Sequence, residues 1–245
     1  MKLSNNLYEY QKKYFRELKR HLLSKIYYKN LHKLSLIHKT DKRRYAQYYH
    51  KHFQPLREKK LNILEIGVGG YENSLTGGNS LRMWKHYFPN SNIYAIDIHE
   101  KSRLQEKRIK IFKGSQEDEK FLNDVFNKTG FLDIIIDDGS HINEHIISSF
   151  KILFPLLKNG GIYVVEDTQT SYWPDYGGDS KNLNNPLTAM NFFKGLTDCL
   201  NYEEFILPGY KAGYFDKNIA SMHFYHNAIF IYKGINRETR GINNG

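Results

Sequence analysis

Cysteine is nearly absent from this sequence of 245 residues, in which Cys199 stands alone. A single thiol excludes an intrachain disulfide framework and a zinc site built mainly from cysteines. Long apolar runs are also lacking, since stretches such as 134–136 are far shorter than the roughly 20 residues that span a bilayer. No apolar segment with a small-residue cleavage site follows the basic N-terminus, as it would in a secretory signal. We therefore expect a cytoplasmic protein without a membrane span.

Acidic residues are scarce at the start of the chain. Residues 1–60 contain 17 Lys or Arg and 4 Asp or Glu, whereas the remaining residues contain 19 and 22. The net charge of +10 therefore belongs to this first segment. A basic arm suits nucleic acid, an anionic membrane surface or a phosphorylated substrate, but it is also common as a solvated helical face.

The region 7–37 contains no proline and is predicted to be helical. Its apolar side chains recur at spacings near 3.6 residues, which is typical of an amphipathic helix: Phe15, Leu18, Leu22 and Ile26. Such a stripe usually packs on the body of the protein or on a second subunit. We expect a homo-oligomer.

From residue 61 onward, strands and helices alternate. Apolar runs predict strands at 61–66, 93–98, 109–112, 132–136, 162–165, 222–225 and 229–232. Helical patterns are found at 80–88, 117–127, 142–157 and 186–200, and Asn-Gly-Gly at 159–161 is expected to stop the third of these helices. This alternation predicts a Rossmann-like, doubly wound α/β fold with a mostly parallel seven-stranded sheet, in which the short last connection makes one strand antiparallel. We divide the chain into a basic helical extension at 1–38, the α/β domain at 39–235 and a disordered tail at 236–245.

The first predicted strand ends in a glycine-rich turn. Gly67 and Gly69 allow the backbone to turn tightly and to approach a ligand closely. A dinucleotide fingerprint would place its third glycine where Glu72 stands, and an acid about 20 residues further on. Asp97, at the end of the second strand, instead follows Gly67 by 30 residues. These departures favour a ligand without a pyrophosphate.

Polar side chains at other strand ends complete a candidate adenosine site. Asp97 is placed to accept both ribose hydroxyls, with a helix cap as the alternative. Ser115 and Gln116 follow the third strand and suit an adenine edge, unless they form an ordinary turn and cap. Glu65 either anchors the glycine turn or binds the amino group of methionine. We assign all four residues, with the two glycines, to cofactor binding.

The most informative group of residues is a set of acids that follow the fourth and fifth predicted strands. Asp138 comes after the fourth strand, and Glu166 and Asp167 come after the fifth. Neighbouring strands lie about 5 Å apart, so these carboxylates converge if the two strands are neighbours. Clustered carboxylates need a cation, and an all-oxygen set suits Mg²⁺ or Mn²⁺. Asp137 is expected to point away from the metal and is assigned to the cofactor-binding set.

His141 follows Asp138 by three residues. Histidine exchanges its proton near neutral pH and suits general-base catalysis. A cation that binds a substrate hydroxyl would make it more acidic, His141 would take its proton, and the resulting alkoxide would attack a sulfonium methyl group. His145, one helical turn later, is interpreted as a structural residue.

These motifs resemble the Rossmann-like S-adenosylmethionine methyltransferases, and within them the mycinamicin- and tylosin-type sugar O-methyltransferases. The resemblance covers about residues 38–234 and is carried by Thr40-Asp41-Lys42, Glu65-Ile66-Gly67, Ser80-Leu81, Asp97, Asp138-Gly139-Ser140-His141, Glu166-Asp167 and Thr170-Ser171-Tyr172-Trp173. It implies S-adenosyl-L-methionine and Mg²⁺ as cofactors, with His141 as the catalytic base. It also implies Asp138, Glu166 and Asp167 as metal ligands.

The same resemblance implies a loop that covers the acceptor, in which Tyr172 and Trp173 stack on a sugar ring. The expected acceptor is a sugar hydroxyl of a glycosylated natural product, a nucleotide sugar or a surface-polysaccharide precursor. The macrolide enzymes carry a larger auxiliary domain where this chain has a basic helix, which leaves the acceptor and the assembly open. The alternatives are an RNA or other small-molecule methyltransferase, motivated by the basic arm, and a non-catalytic protein that binds an adenosyl ligand. Nucleic acid is the less favoured partner, because no RNA-binding module is recognisable.

Overall fold

A computed structural model describes residues 2–237 and shows a central sheet with helices packed on both faces. The strands within these residues are β1 Asn62–Ile66, β2 Asn92–Asp97, β3 Ile109–Lys113, β4 Leu132–Asp137, β5 Leu157–Glu166, β6 Ile219–Tyr225 and β7 Ala228–Lys233. The α-helices are α1 Lys2–Ile26, α2 Leu31–His38, α3 Ala46–Phe53, α4 Asn79–Tyr87, α5 Glu119–Thr129, α6 Asn143–Leu153, α7 Ala189–Gly195 and α8 Tyr214–Asn218.

The described strands form one sheet in the order β3-β2-β1-β4-β5-β7-β6. All pairs from β3 to β5 are parallel, and β7 runs antiparallel to both of its neighbours. The Rossmann-like prediction, with a mostly parallel sheet and an antiparallel strand near its end, is confirmed. The chain leaves β1 first toward β2 and later returns on the other side at β4, so a crevice opens where their carboxyl ends part.

The central strands are buried on both faces. Ile63 and Ile134 pack into the layer that holds α2, α3 and α4, whereas Leu64 and Ile135 pack into the layer that holds α5, α6 and α7. Full burial of one such side chain contributes about 1.5–3 kcal/mol. The strand ends that carry the polar residues are therefore fixed by a core on each side of the sheet.

The N-terminal region is divided into two helices, and the prediction of one helix over 7–37 is wrong. The chain turns at residues 27–30, and the Asn30 side chain accepts a 2.9 Å hydrogen bond from the Lys33 amide at the start of α2. Leu31 and Leu34 of α2 are buried in the same core as β1. Thus α2 is packed as part of the sheet domain.

Helix α1 turns its apolar stripe toward solvent. Leu22 is 52% exposed and Ile26 is 68% exposed, whereas Ser24 is buried and lies 3.0 Å from the His38 ring. The stripe does not pack on the domain. None of the described helices is long and apolar enough to cross a membrane.

Three other segments differ from the sequence-based predictions. Helix α6 ends at Leu153, just before Pro155, and residues 159–161 belong to β5 and do not stop a helix. Helix α7 occupies only part of the range 186–200. Asn236 is held by side-chain hydrogen bonds to two backbone carbonyls, and the predicted disordered tail from residue 238 onward lies outside the described residues.

Candidate active site

A cavity of about 590 Å³ opens at the carboxyl edge of the sheet. The loops after β1, β2, β3 and β4 all contribute to its lining. Seven of the residues that the sequence places at the site line it: Gly67, Gly69, Asp97, Ser115, Gln116, Asp138 and His141.

Gly67 is required by close packing between the loops after β1 and β4. Its φ is +93°, and a Cβ at this position would lie 2.2 Å from the carbonyl oxygen of Asp138. The Gly67 amide donates a 2.9 Å hydrogen bond to the Ile96 carbonyl oxygen. The glycine turn is therefore fixed against strand β2 and against the loop after β4, and it lines the cavity.

We expect Gly67→Ala to lower the free energy of unfolding by more than the about 1–3 kcal/mol that an unfavourable backbone conformation costs alone. Gly130→Ala is the matched control, because Gly130 also has a positive φ, of +73°, but nothing lies within 4 Å of its added Cβ. Urea denaturation measures both variants. Equal losses of unfolding free energy in the two variants would show that the contact between the added Cβ and Asp138 adds nothing to the cost of the substitution.

Asp97 pins the glycine turn from the neighbouring strand. Its Oδ2 accepts a 2.9 Å hydrogen bond from the Val68 amide, and its Oδ1 accepts a 2.8 Å bond from the His99 amide. A carboxylate oxygen has a second lone pair, so each oxygen is still able to accept a ligand hydroxyl. The residue lines the cavity, as a ribose-binding acid must.

Gln116 joins the loop after β3 to the loop after β4. Its Oε1 accepts a 2.8 Å hydrogen bond from the Ser140 amide, and its Nε2 donates to Asp137 Oδ1 at 3.2 Å. Asp137 is buried and also accepts a 2.6 Å bond from the Ser149 hydroxyl of α6. Burial raises the pKa of the Asp137 carboxyl, while Ser149 opposes that shift. Asp137 thus supports the wall, whereas Gln116 and Ser115 face the cavity.

Asp138, His141 and Asp167 form the open acidic group of the site. The Nε2 atom of His141 lies 3.9 Å from Asp138 Oδ1 and 3.7 Å from Asp167 Oδ2. One ligand atom from each of the three residues lies within 4.8 Å of the others, a separation that one metal ion is able to bridge. The carboxylate oxygens of Asp138 and Asp167 suit Mg²⁺ or Mn²⁺ better than a thiophilic ion.

Two members of this group have a strained backbone. His141 has a φ of +59° and Asp167 has a φ of +50°, in the left-handed region that residues other than glycine seldom adopt. Strain of this kind is retained where the surrounding structure fixes it, and it is concentrated at functional sites. The local geometry brings both side chains beside Asp138, and of the two only His141 lines the cavity.

Glu166 lies behind this group. It is 1% exposed, its Oε1 lies 2.6 Å from the Lys42 ammonium, and the same atom accepts a hydrogen bond from the Tyr49 hydroxyl. Burial raises the pKa of the Glu166 carboxyl well above its usual range, although Lys42 opposes the shift. The structure thus brings Asp138 and Asp167 together at the opening, with Glu166 beside them but engaged by protein groups.

Lys42 is fully buried among the acids of the site. Its place there was not predicted from the sequence. Its ammonium lies 2.5 Å from Asp138 Oδ2 and 3.2 Å from Glu65 Oε1. Burial alone would lower the pKa of Lys42, but Asp138, Glu166 and Glu65 raise it above its ordinary value. Burial raises the pKa of Glu65 to about 7, partly offset by Lys42. Glu65 therefore belongs to a buried ion cluster and lies outside the cavity lining.

The loop after β5 partly closes the cavity. Asn143 of α6 donates from Nδ2 to the carbonyls of Thr170 at 3.1 Å and Tyr176 at 2.8 Å, which holds the loop on the domain. Tyr176 lines the cavity, whereas Tyr172 and Trp173 lie outside its lining and are 38% and 48% exposed. The two predicted stacking residues are thus free to meet a larger ligand at the cavity's rim.

His145 also lies in the cavity wall. Its Nδ1 is 2.9 Å from the Ser140 hydroxyl, and its Nε2 is 2.9 Å from a carboxylate oxygen of Glu117. These contacts link the loops after β3 and β4, in agreement with the structural interpretation of this residue.

No protein-family model matches the chain. The demethylmacrocin O-methyltransferase of Streptomyces fradiae is 45% identical over 197 residues, which is 79% of this chain and 49% of that protein. The mycinamicin VI 2''-O-methyltransferase of Micromonospora griseorubida is 44% identical over 195 residues, with the same coverage. The chain spans about half the length of the curated relatives it matches.

Solved structures give the same result. The MycE methyltransferase from the mycinamycin biosynthetic pathway, in complex with Mg, SAH and mycinamycin VI, is 43% identical and superposes with a TM-score of 0.82. The match covers 85% of this chain and 54% of that chain. The fold is thus a Rossmann-like methyltransferase fold, and the chain is homologous to one portion of mycinamicin- and tylosin-type enzymes.

Proposed function

We propose, on the basis of this homology over about half of the relatives' length, that the chain is an S-adenosyl-L-methionine-dependent O-methyltransferase that needs a divalent metal and acts on a sugar hydroxyl. The observation that carries the proposal is the meeting of Asp138, His141 and Asp167 at the mouth of a cavity built around the Gly67 turn. The two named relatives are O-methyltransferases, which supports the same reaction.

The cavity supports S-adenosyl-L-methionine as the methyl donor. Gly67 and Gly69 line the cavity beside β1, Asp97 offers acceptors for ribose hydroxyls, and Ser115 with Gln116 offers polar groups for an adenine edge. When bound there, the cofactor would supply an electrophilic methyl group at the carboxyl edge of the sheet. Glu65 and Asp137 would act from behind the cavity, Glu65 through the Lys42 cluster and Asp137 through Gln116.

The open acids support Mg²⁺, or Mn²⁺, as the metal. Asp138 and Asp167 would hold it directly, with Glu166 as a third ligand through Oε2, because Lys42 and Tyr49 both contact Oε1. When bound, a divalent ion would lower the pKa of an acceptor hydroxyl. His141 would then accept the hydroxyl proton at Nε2, the ring atom that faces both acids.

The relatives and the exposed aromatic side chains after β5 support a sugar-containing acceptor. The relatives include a demethylmacrocin O-methyltransferase and a mycinamicin VI 2''-O-methyltransferase, and a structure of MycE contains mycinamycin VI. In this chain Tyr172 and Trp173 would contact the sugar of a glycosylated natural product, a nucleotide sugar or a polysaccharide precursor. Homo-oligomerisation and residence in the cytoplasm are further parts of this proposal. The boundary expected at residue 38 moves to the turn at 27–30, because α2 packs in the core of the sheet domain.

Acceptor screening with isotope-labelled cofactor tests the function. We expect methyl transfer to a glycosylated acceptor, loss of transfer after chelation, and recovery on addition of Mg²⁺. Undiminished transfer by the metal-stripped protein would contradict the metal assignment. Transfer to RNA, with no transfer to sugars, would favour the alternative suggested by the basic residues of the first segment. Cofactor binding without transfer to any acceptor class would favour a binding protein.

A further inference from the structure

We propose that Lys42, Tyr45 and Tyr49 are positioning residues that hold the carboxylates of the metal site in place. The inference rests on the proposed function, since it assigns these three side chains a part in binding the metal. They belong to a segment before β1, more than 90 residues away in sequence from Asp138, Glu166 and Asp167, which they contact.

The three residues occupy one side of a continuous helical stretch. Lys42 lies in the 3-10 helix Asp41–Arg44, Tyr45 joins that helix to α3, and Tyr49 lies within α3. Spacings of three and four residues bring side chains to the same helix face. This face is directed at the ends of β4 and β5.

The stretch is anchored firmly enough to act as a support. Tyr49 is fully buried, and its ring packs at 4.9 Å from Trp84 and 5.3 Å from Phe230, measured between ring centroids. Phe53 of the same helix is also fully buried. The hydroxyl of Tyr49 therefore has little freedom to leave Glu166.

In Asp138 and in Asp167, one carboxylate oxygen contacts the helical segment and the other lies on the side of His141. Asp138 is bound through Oδ2 by Lys42 at 2.5 Å and presents Oδ1 on the side of His141. Asp167 is bound through Oδ1 by the Tyr45 hydroxyl at 2.6 Å and presents Oδ2 on the side of His141. In both acids one oxygen is held by the segment and the other is left for an ion.

The same contacts restrain groups that would otherwise repel one another. Glu65, Asp138 and Glu166 all lie within 3.2 Å of one ammonium, that of Lys42. Hydrogen bonds to metal-ligating carboxylates fix their orientation, and loss of such an outer partner typically costs about 10–100-fold in metal affinity or activity. The segment therefore fixes the separation and the rotation of the ligands before an ion binds.

Tyr45→Phe is the most direct test, because it removes one hydroxyl and keeps the ring. We expect Mn²⁺ affinity, measured by electron paramagnetic resonance, to fall about tenfold. The melting temperature of the metal-free protein is expected to fall by only about 2–4 °C, the effect of about 1 kcal/mol in a chain of this size. Tyr48→Phe is the matched control: Tyr48 is a neighbour in α3 whose ring stacks on Tyr225 at 4.2 Å between centroids. The control is expected to bind Mn²⁺ as the wild type does.

Lys42→Arg gives a second test that retains the buried charge. The bulkier guanidinium cannot reproduce the point contacts of the ammonium with Asp138 and Glu166, so we expect weaker Mn²⁺ binding for this variant also. Wild-type Mn²⁺ affinity in both Tyr45→Phe and Lys42→Arg would overturn the positioning role and leave the proposed function intact. If the wild-type protein binds no Mn²⁺, both proposals are overturned.

Discussion

Replacing His141 with alanine is expected to reduce kcat about 10²–10⁴-fold, the usual contribution of a general base. The affinities for Mn²⁺ and for S-adenosylhomocysteine are expected to change little. The reason is geometric: Nε2 of His141 lies 3.7–3.9 Å from the two open acids, close enough to reach a hydroxyl bound between them. Turnover and binding must therefore be measured on the same preparation.

A second substitution, His141→Asn, guards against a backbone effect. Asparagine tolerates the left-handed conformation that His141 adopts at φ +59°, so this variant keeps the loop and removes the base. His32→Ala, at an exposed position of α2, is the control for loss of a histidine. If His141→Ala abolished Mn²⁺ binding, the imidazole would be a metal ligand and would not be the base. Unchanged kcat would remove it from the mechanism.

Asp138→Asn is expected to weaken Mn²⁺ binding by about 100-fold or more, because even outer partners of metal ligands are worth 10–100-fold. Turnover should fall with it, whereas cofactor affinity should stay within about tenfold of the wild type. The change preserves the shape of the side chain and removes the charge that faces both Lys42 and the open group. Isothermal titration with Mn²⁺ and with S-adenosylhomocysteine separates the two affinities.

Asp133→Asn provides the matched control on the same strand. Asp133 lies near the opposite end of β4, where it forms a 2.9 Å ion pair with Lys158 at the surface. The Asp133→Asn variant should leave Mn²⁺ affinity unchanged, since exposed ion pairs contribute little even to stability. Equal effects of Asp133→Asn and Asp138→Asn on Mn²⁺ affinity would indicate that binding depends on the total negative charge. Asp138 would then not be a specific ligand.

The position of the acids was predictable from the sequence because parallel strands end at a common edge. Asp138 follows β4 and Asp167 follows β5, two strands that pair in parallel, so their convergence follows from the topology. The sheet itself was predictable from the alternation of apolar runs with helical patterns. Gly67 and Asp97 were likewise identified from their places directly after strands.

The orientation of Glu166 was beyond a sequence argument. It is the last residue of β5, and its side chain is engaged by Lys42 and Tyr49, whereas the next residue leaves the strand with a left-handed backbone. Adjacent acids in sequence thus have different surroundings. The packing of α3 against the sheet accounts for the difference, because it places Tyr49 beside Glu166.

Lys42, Tyr45 and Tyr49 could not be assigned for a related reason. Their spacing predicts a shared helix face, but it does not say which surface that face meets. The Thr40-Asp41-Lys42 motif was noticed as a family resemblance without a role. A buried lysine is rare unless it is paired, so only the observed burial of Lys42 reveals its place among the acids.

Other errors were local. Residues 159–161 contain Asn-Gly-Gly, which is typical of a helix end, but they lie within β5, where the sheet sets the conformation. The helix predicted over 7–37 ends early because Asn30 caps a new helix. In both cases a short local signal was outweighed by packing or by capping.

The central claim is that a divalent ion sits between Asp138 and Asp167 beside the cofactor cavity. A crystal structure with Mn²⁺ and S-adenosylhomocysteine tests it most directly, since the anomalous signal of manganese locates the ion. The account predicts one peak within about 2.0–2.3 Å of an oxygen of each aspartate, with the ligand next to Gly67. A peak elsewhere, or an empty cluster beside a bound adenosyl group, would contradict it.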